Sequence, residues 1–244
     1  MFILFFFITF DLGSYDNFGV TMGITENLSR LRKEIPGRVR IVAVSKTMPV
    51  SAILEAYHEG QRAFGENKVQ ELVEKQKQLP ADLEWHMIGH LQTNKVKLIV
   101  PFIHLIHSVD SLKLLSVINA EAGRINRRID CLLEMRIARE ETKFGMTGED
   151  LEQLMTSAEC RSFRHIRITG LMGMATFTTN MNQVKHEFLQ LAAYYSACKS
   201  KWFQDDPAFR EISMGMSGDY QTALETGSTM VRIGSLIFGE RKYN

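Results

Sequence analysis

The chain has 244 residues, 45% hydrophobic and 23% charged, with 29 lysines and arginines against 28 aspartates and glutamates. A formal net charge of +1 offers no electrostatic footprint for nucleic acid or an anionic membrane surface. The three cysteines, Cys131, Cys160 and Cys198, form no C-x-x-C pair, which points to reduced, buried thiols in a cytoplasmic protein rather than a disulfide framework.

Residues 1–10 are almost wholly apolar. The run is about half of the roughly 20 residues a membrane-spanning helix needs, and no Lys or Arg precedes Arg30 to serve a secretory signal. The expectation is an over-extended, disordered start over 1–22, with Met22 the first native residue and one domain over 23–244. A helix over 25–34 places Leu28, Leu31 and Ile35 on one face and stops before Pro36-Gly37. The run Val39-Arg40-Ile41-Val42-Ala43-Val44-Ser45 predicts a buried parallel strand ending at Lys46. A helix over 49–59 stops at Gly60, and a short strand over 62–64 leads to a helix reaching about Gln78. The third strand spans 84–88 with a helix near 93–100, and the fourth spans 102–107 with a helix over 111–123. The fifth covers 129–137, then a loop through Thr142-Lys143-Phe144-Gly145 and a helix near 148–157. The sixth, 166–171, precedes a long helix over 181–201. The seventh, 209–213, runs into Met214-Gly215-Met216-Ser217-Gly218-Asp219 and a helix to Thr226, and the eighth, 229–233, ends at Gly234-Ser235. Eight strands alternating with helices, and no linker, predict a single α/β domain closed as a (β/α)₈ TIM barrel, with an open doubly wound sheet as the alternative.

In such a barrel the functional face is built by the strand carboxyl ends. Lys46 would have its stem among apolar neighbours and its amine at the mouth. Desolvation there lowers an ammonium's pKa and frees an amine able to form a Schiff base. On position alone, a lysine that merely reaches solvent is the plainer reading. The Gly/Ser turns after the seventh and eighth strands change the balance. They present backbone N–H groups where barrels of this class bind phosphate. An amine opposite a phosphate cradle asks for a small molecule carrying both an aldehyde and a phosphate, and pyridoxal 5′-phosphate (PLP) fits. Arg232, two residues before Gly234 on a strand, points to the same face. From there it could donate to a pyridine nitrogen and leave it unprotonated.

These residues lie in runs that together resemble the pyridoxal phosphate homeostasis family, single-domain relatives of the alanine racemase barrel. The runs are Ala43-Val44-Ser45-Lys46-Thr47, Phe64-Gly65-Glu66-Asn67 with Val69-Gln70-Glu71, and the stretch from Trp85 through Gly89-His90-Leu91-Gln92 to Lys95. Lys143-Phe144-Gly145, Gly170-Leu171-Met172, the stretch from Ser213 to Asp219 and that from Gly227 to Gly239 complete the set. The resemblance implies an alanine-racemase-like barrel of PLP fold type III with no second β domain. It also implies a covalent aldimine at Lys46, phosphate contacts from Ser217, Gly234 and Ser235, Arg232 near the ring nitrogen, and lesser contacts from Asn67 and Met214. The implied role is intracellular PLP homeostasis by a cytoplasmic monomer that buffers the cofactor and delivers it to PLP-dependent apoenzymes.

The alternative is an amino-acid racemase of the alanine racemase type. Racemisation needs a base on each face of the substrate–cofactor plane. Of the tyrosines, Tyr220 alone lies near the cradle, where it reads as a packing residue at a helix start. A binding module without cofactor, or a Schiff-base aldolase using Lys46 on a sugar phosphate, is a distant second alternative. No metal site is expected: His86 and His90 lie on a strand and its turn, and His104 and His107 face opposite sides of a strand. Glu134 and Glu140-Glu141 read as rim charges, and Met172-Met174 and Met214-Met216 as adaptable packing.

Overall fold

A computed structural model describes residues 23–140 and 144–240. The expected over-extended start at 1–22, with Tyr15, lies outside the described residues, as do Glu141, Thr142, Lys143 and Tyr243. Helix α1 (Ile24–Glu34) leads into eight parallel strands that pair in sequence order and close on themselves: β1 (Arg40–Val44), β2 (Ala63–Glu66), β3 (Glu84–Met87), β4 (Leu105–Val109), β5 (Ile129–Met135), β6 (Ile166–Gly173), β7 (Glu211–Met216) and β8 (Met230–Ile233). The seam is the β1–β8 pairing, in register from Arg40↔Met230 to Ala43↔Ile233.

Helices α2 (Val50–His58), α3 (Val69–Gln76), α4 (Val96–Ile99), α5 (Leu112–Arg124), α6 (Gly148–Thr156), α7 (Ala158–Ser162), α8 (Met181–Lys201), α9 (Tyr220–Glu225) and α10 (Ser235–Phe238) occupy the connections. The main apolar core lies between strands and helices, where Leu28, Ile53, Leu72, Phe188 and Phe209 are wholly buried. A second, smaller cluster of Val42, Ala63, Leu105, Leu132, Met172 and Met230 fills the inside of the ring. Period-two alternation along each strand produces both layers. Burial of Cys131 and Cys198 raises their thiol pKa values, that of Cys198 to about 12, so neither is a reactive thiolate at neutral pH. Among the described residues no helix is long and apolar enough to cross a membrane.

The single-barrel expectation agrees with the architecture, and the departures have local causes. The helix expected over 148–157 is α6, and a second short helix, α7, follows it, because Ser157 ends the first and caps the second, accepting a hydrogen bond from the Cys160 N–H at 3.0 Å. Strand β4 starts three residues later than expected. Strand β7 continues through Met214-Gly215-Met216, with an irregular register against β8 between Ser213 and Met216.

At Gly170 the backbones of β6 and β7 meet so closely that a Cβ would lie 1.8 Å from the Glu211 carbonyl oxygen. The β5–β6 register shifts at the same level, between Cys131 and Leu132. Gly170→Ala should therefore force the two strands apart and cost about 1–3 kcal/mol, by analogy with overpacked cores. Denaturant unfolding of the two proteins would measure it.

Candidate functional site

Lys46 lies two residues beyond β1, in the turn Ser45-Lys46-Thr47-Met48 closed by a 2.9 Å bond from the Met48 N–H to the Ser45 carbonyl. Thr47 has φ 66°, a left-handed conformation that a β-branched residue adopts only under constraint. A buried ionic cluster supplies the constraint. The Lys75 ammonium on α3 donates to the Ser45 carbonyl (2.7 Å), to Glu66 Oε1 (2.8 Å) and to Glu71 Oε1 (2.6 Å). The Ser45 hydroxyl donates to Glu66 Oε1 at 2.7 Å, and the Thr47 N–H to Glu71 Oε1 at 2.5 Å. Burial holds the Glu66 carboxyl above the ordinary carboxylate range even though Lys75 pulls it down. Glu66 and Glu71 fall within the sequence motifs, whereas Lys75 falls outside them. Its signal was the i,i+4 spacing of Glu71 and Lys75 on one helix face.

A cleft of about 590 Å³ opens at the carboxyl ends of the strands and is lined by Lys46, Asn67, Ser217, Arg232, Gly234 and Ser235, among others. Six of the seven expected residues thus share one cavity. The loops after β7 and β8 meet there, with the Gly234 N–H donating to Ser217 Oγ at 3.2 Å. Asn67 reaches the cleft because Gly89 lets the two chain segments touch: a Cβ at Gly89 would sit 2.6 Å from the Asn67 carbonyl oxygen.

Met214 is the exception. It is wholly buried in the core between strands and helices and does not line the cleft, since β7 extends past it and turns its side chain away from the mouth. Met216, two residues on, lines the cleft instead. The loop before α8 adds a wall that no sequence motif marks, where Thr176, Phe177 and Thr178 line the cavity. Glu187 of α8 anchors that loop, accepting from the Thr176 N–H (2.6 Å) and hydroxyl (2.8 Å).

Arg232 lies at the cleft floor, almost fully buried. One terminal nitrogen, Nη1, donates to the Ser213 carbonyl (2.9 Å) and hydroxyl (2.7 Å), and Nη2 donates to the Gly173 carbonyl (3.1 Å). Burial lowers its pKa to about 10, which leaves it a cation at neutral pH. Tyr220 does not line the cleft; its hydroxyl donates to Glu34 Oε2 at 2.7 Å. Glu134, expected at the rim, is 3% exposed on β5, and burial with the nearby Asp110 charge raises its pKa to about 7. Its strand position turns it into the barrel rather than out to water.

The family model for the alanine racemase N-terminal domain matches residues 22–242. A pyridoxal phosphate homeostasis protein of Aquifex aeolicus is 37% identical over 233 residues, spanning 91% of this chain and 100% of that one. The structure of PipY from Synechococcus elongatus without PLP superposes with a TM-score of 0.82 at 35% identity, covering 88% of this chain and 100% of that one. The PipY structure with PLP bound gives a TM-score of 0.77 at 36% identity over the same shares.

Two outcomes follow from the buried charges. Lys75→Met leaves Glu66 buried without its cation and should cost about 3–5 kcal/mol in denaturant unfolding, with the Lys46 turn loosened. Glu134 titrates near 7 in the folded chain against an ordinary 4.5, so the fold favours its protonated form. Its contribution is complete below about pH 4.5 and is lost as pH rises through about 7, roughly 3 kcal/mol in all. Glu134→Gln should therefore gain stability over wild type across that window. Buried His86 and His107, whose pKa values are lowered, act in the opposite sense in both proteins, so the difference between the two pH–stability curves is the quantity to measure.

Proposed function

Because the chain belongs to the alanine racemase N-terminal domain family, among its pyridoxal phosphate homeostasis proteins, we propose that it binds PLP covalently through Lys46 and takes part in PLP homeostasis. The observation that carries this reading is one cavity lined by an amine on one wall and by Ser217, Gly234 and Ser235 on another. The donor set suits the cofactor. Lys46 supplies the nucleophilic nitrogen, while the Ser217 and Ser235 hydroxyls and nearby backbone amides can hold the phosphate. Asn67 contributes a lesser polar contact, and Met214 acts only by packing from behind.

Bound PLP supplies an electrophilic aldehyde and a pyridine ring that can draw off electrons. The protein's residues limit the second property. Arg232, a cation anchored on Ser213 and Gly173, would disfavour a proton on a ring nitrogen held against it. An unprotonated ring stabilises a carbanion poorly. Among the described residues no tyrosine lines the cleft to serve as a second base. A role in buffering and delivery to apoenzymes, without turnover, fits these features better than racemisation. Three unpaired thiols fit a reducing, cytoplasmic setting for a monomeric carrier.

Protein supplied with PLP should show a visible absorption band that borohydride bleaches, and Lys46→Ala should lose it. Ser217→Ala should keep the band but bind PLP about ten- to a hundredfold more weakly, the cost of one hydrogen bond to a charged group. A colourless protein would overturn the reading. Robust amino-acid racemisation abolished by Lys46→Ala would replace the carrier with an enzyme.

A further inference from the structure

At the opposite end of the barrel, three side chains that the sequence gives no reason to connect converge. Glu84 opens β3, His86 lies two residues along it, and His104 immediately precedes β4. Each offers a ligand atom within 4.8 Å of the others, and His104 Nε2 is 4.0 Å from Glu84 Oε2. The His86 and His104 rings stack with centroids 5.6 Å apart. His86 is wholly buried, and its Nε2 has no hydrogen-bond partner. Such an atom carries a desolvation cost that a ligand would remove.

The other edge of the His86 ring is committed. His86 Nδ1 lies 2.8 Å from His107 Nε2, and His107 Nδ1 lies 3.0 Å from Ser213 Oγ, which accepts from Arg232 Nη1 at 2.7 Å. A serine oxygen has two lone pairs, so it can accept from both Arg232 and a His107 Nδ1–H. In that arrangement His107 Nε2 accepts from a His86 Nδ1–H, and the Nε2 lone pair of His86 faces the cluster. A metal-binding imidazole is usually oriented in this way, its far N–H donated to a fixed acceptor.

We infer that Glu84, His86 and His104 form a binding site for a divalent first-row transition ion at the strand amino ends, separate from the PLP cleft. The donors are two imidazoles and a carboxylate, a set suited to zinc and its neighbours that leaves coordination positions for water. Glu84 and His104 are partly exposed and can close the remaining distance by rotating. A solvent-open pocket of about 420 Å³, lined in part by His104, Arg40 and Asp130, opens onto the His104 side of the cluster. Arg40 Nη1, 3.4 Å from Glu84 Oε2, is the competitor that the ion must displace or share.

The test uses the full chain stripped with a chelator. Zn²⁺ titrated calorimetrically should bind at one equivalent, and Co²⁺ should give visible ligand-field bands. His104→Ala, a change at a half-exposed side chain, should weaken Zn²⁺ binding at least tenfold. If that variant does not fold, Glu84→Gln takes its place with the same threshold. Absence of one-equivalent binding, or a loss below tenfold, overturns the assignment. Neither readout depends on the cofactor, so failure here leaves the PLP reading untouched, and a colourless protein leaves this site standing.

Discussion

A closed ring of parallel strands must turn alternate side chains into its own interior, and that constraint organises everything else in this protein. Strands β4 and β7 are not neighbours in the ring, so the bond between His107 and Ser213 crosses the barrel. The interior is apolar at the level of Val42, Leu105, Leu132 and Met230, and polar where His86, His107, Glu134, Ser213 and Arg232 stand. A buried polar level is tolerable only if its members satisfy one another. Most do: Arg232 donates to Ser213 and Gly173, and the two histidines pair. The level fixes Arg232 at the cleft floor without placing a flexible loop beneath it.

The mouth of the barrel is held differently. The Lys46 turn contains a left-handed Thr47, and a turn of that kind would relax if left alone. One ammonium, that of Lys75, gathers two carboxylates and a backbone carbonyl from three chain segments around it. A buried ion pair of this sort adds little net stability over an apolar substitute. What it contributes is position, since each partner has one low-energy place to be. The strain at Thr47 and the cluster beneath it are therefore two parts of one device for aiming Lys46.

How much of this was legible beforehand follows from how local each feature is. The eight strands and the Gly/Ser turns carry their signals within about ten residues, so the barrel and six of the cleft residues could be read directly. Met214 could not, because its direction depends on where β7 ends. A strand that ends three residues later than its apolar run suggests turns that side chain into the helix–strand core. Glu134 fails for a related reason: a charged residue near a strand end reads as rim until closure of the ring puts it inside. The relay from His86 to Arg232 and the cluster at His104 join strands up to about 150 residues apart in sequence, and no spacing rule links them.

The polar level also limits what chemistry the mouth can support. Arginine can only donate, so a group placed against Arg232 meets a donor in every protonation state the protein visits near neutral pH. Ser213 and Gly173 hold the guanidinium from behind, so it cannot turn to offer anything else. Tyr220 is tied to Glu34 on α1, outside the cavity that would bring its hydroxyl to a substrate. Under the proposed reading Lys46 is the base at the mouth, and among the described residues no tyrosine lines the cleft beside it. A single base can deprotonate and reprotonate one face of a planar intermediate, which returns the starting stereochemistry. Under the proposed reading, this geometry favours holding a reactive aldehyde over inverting a carbon centre.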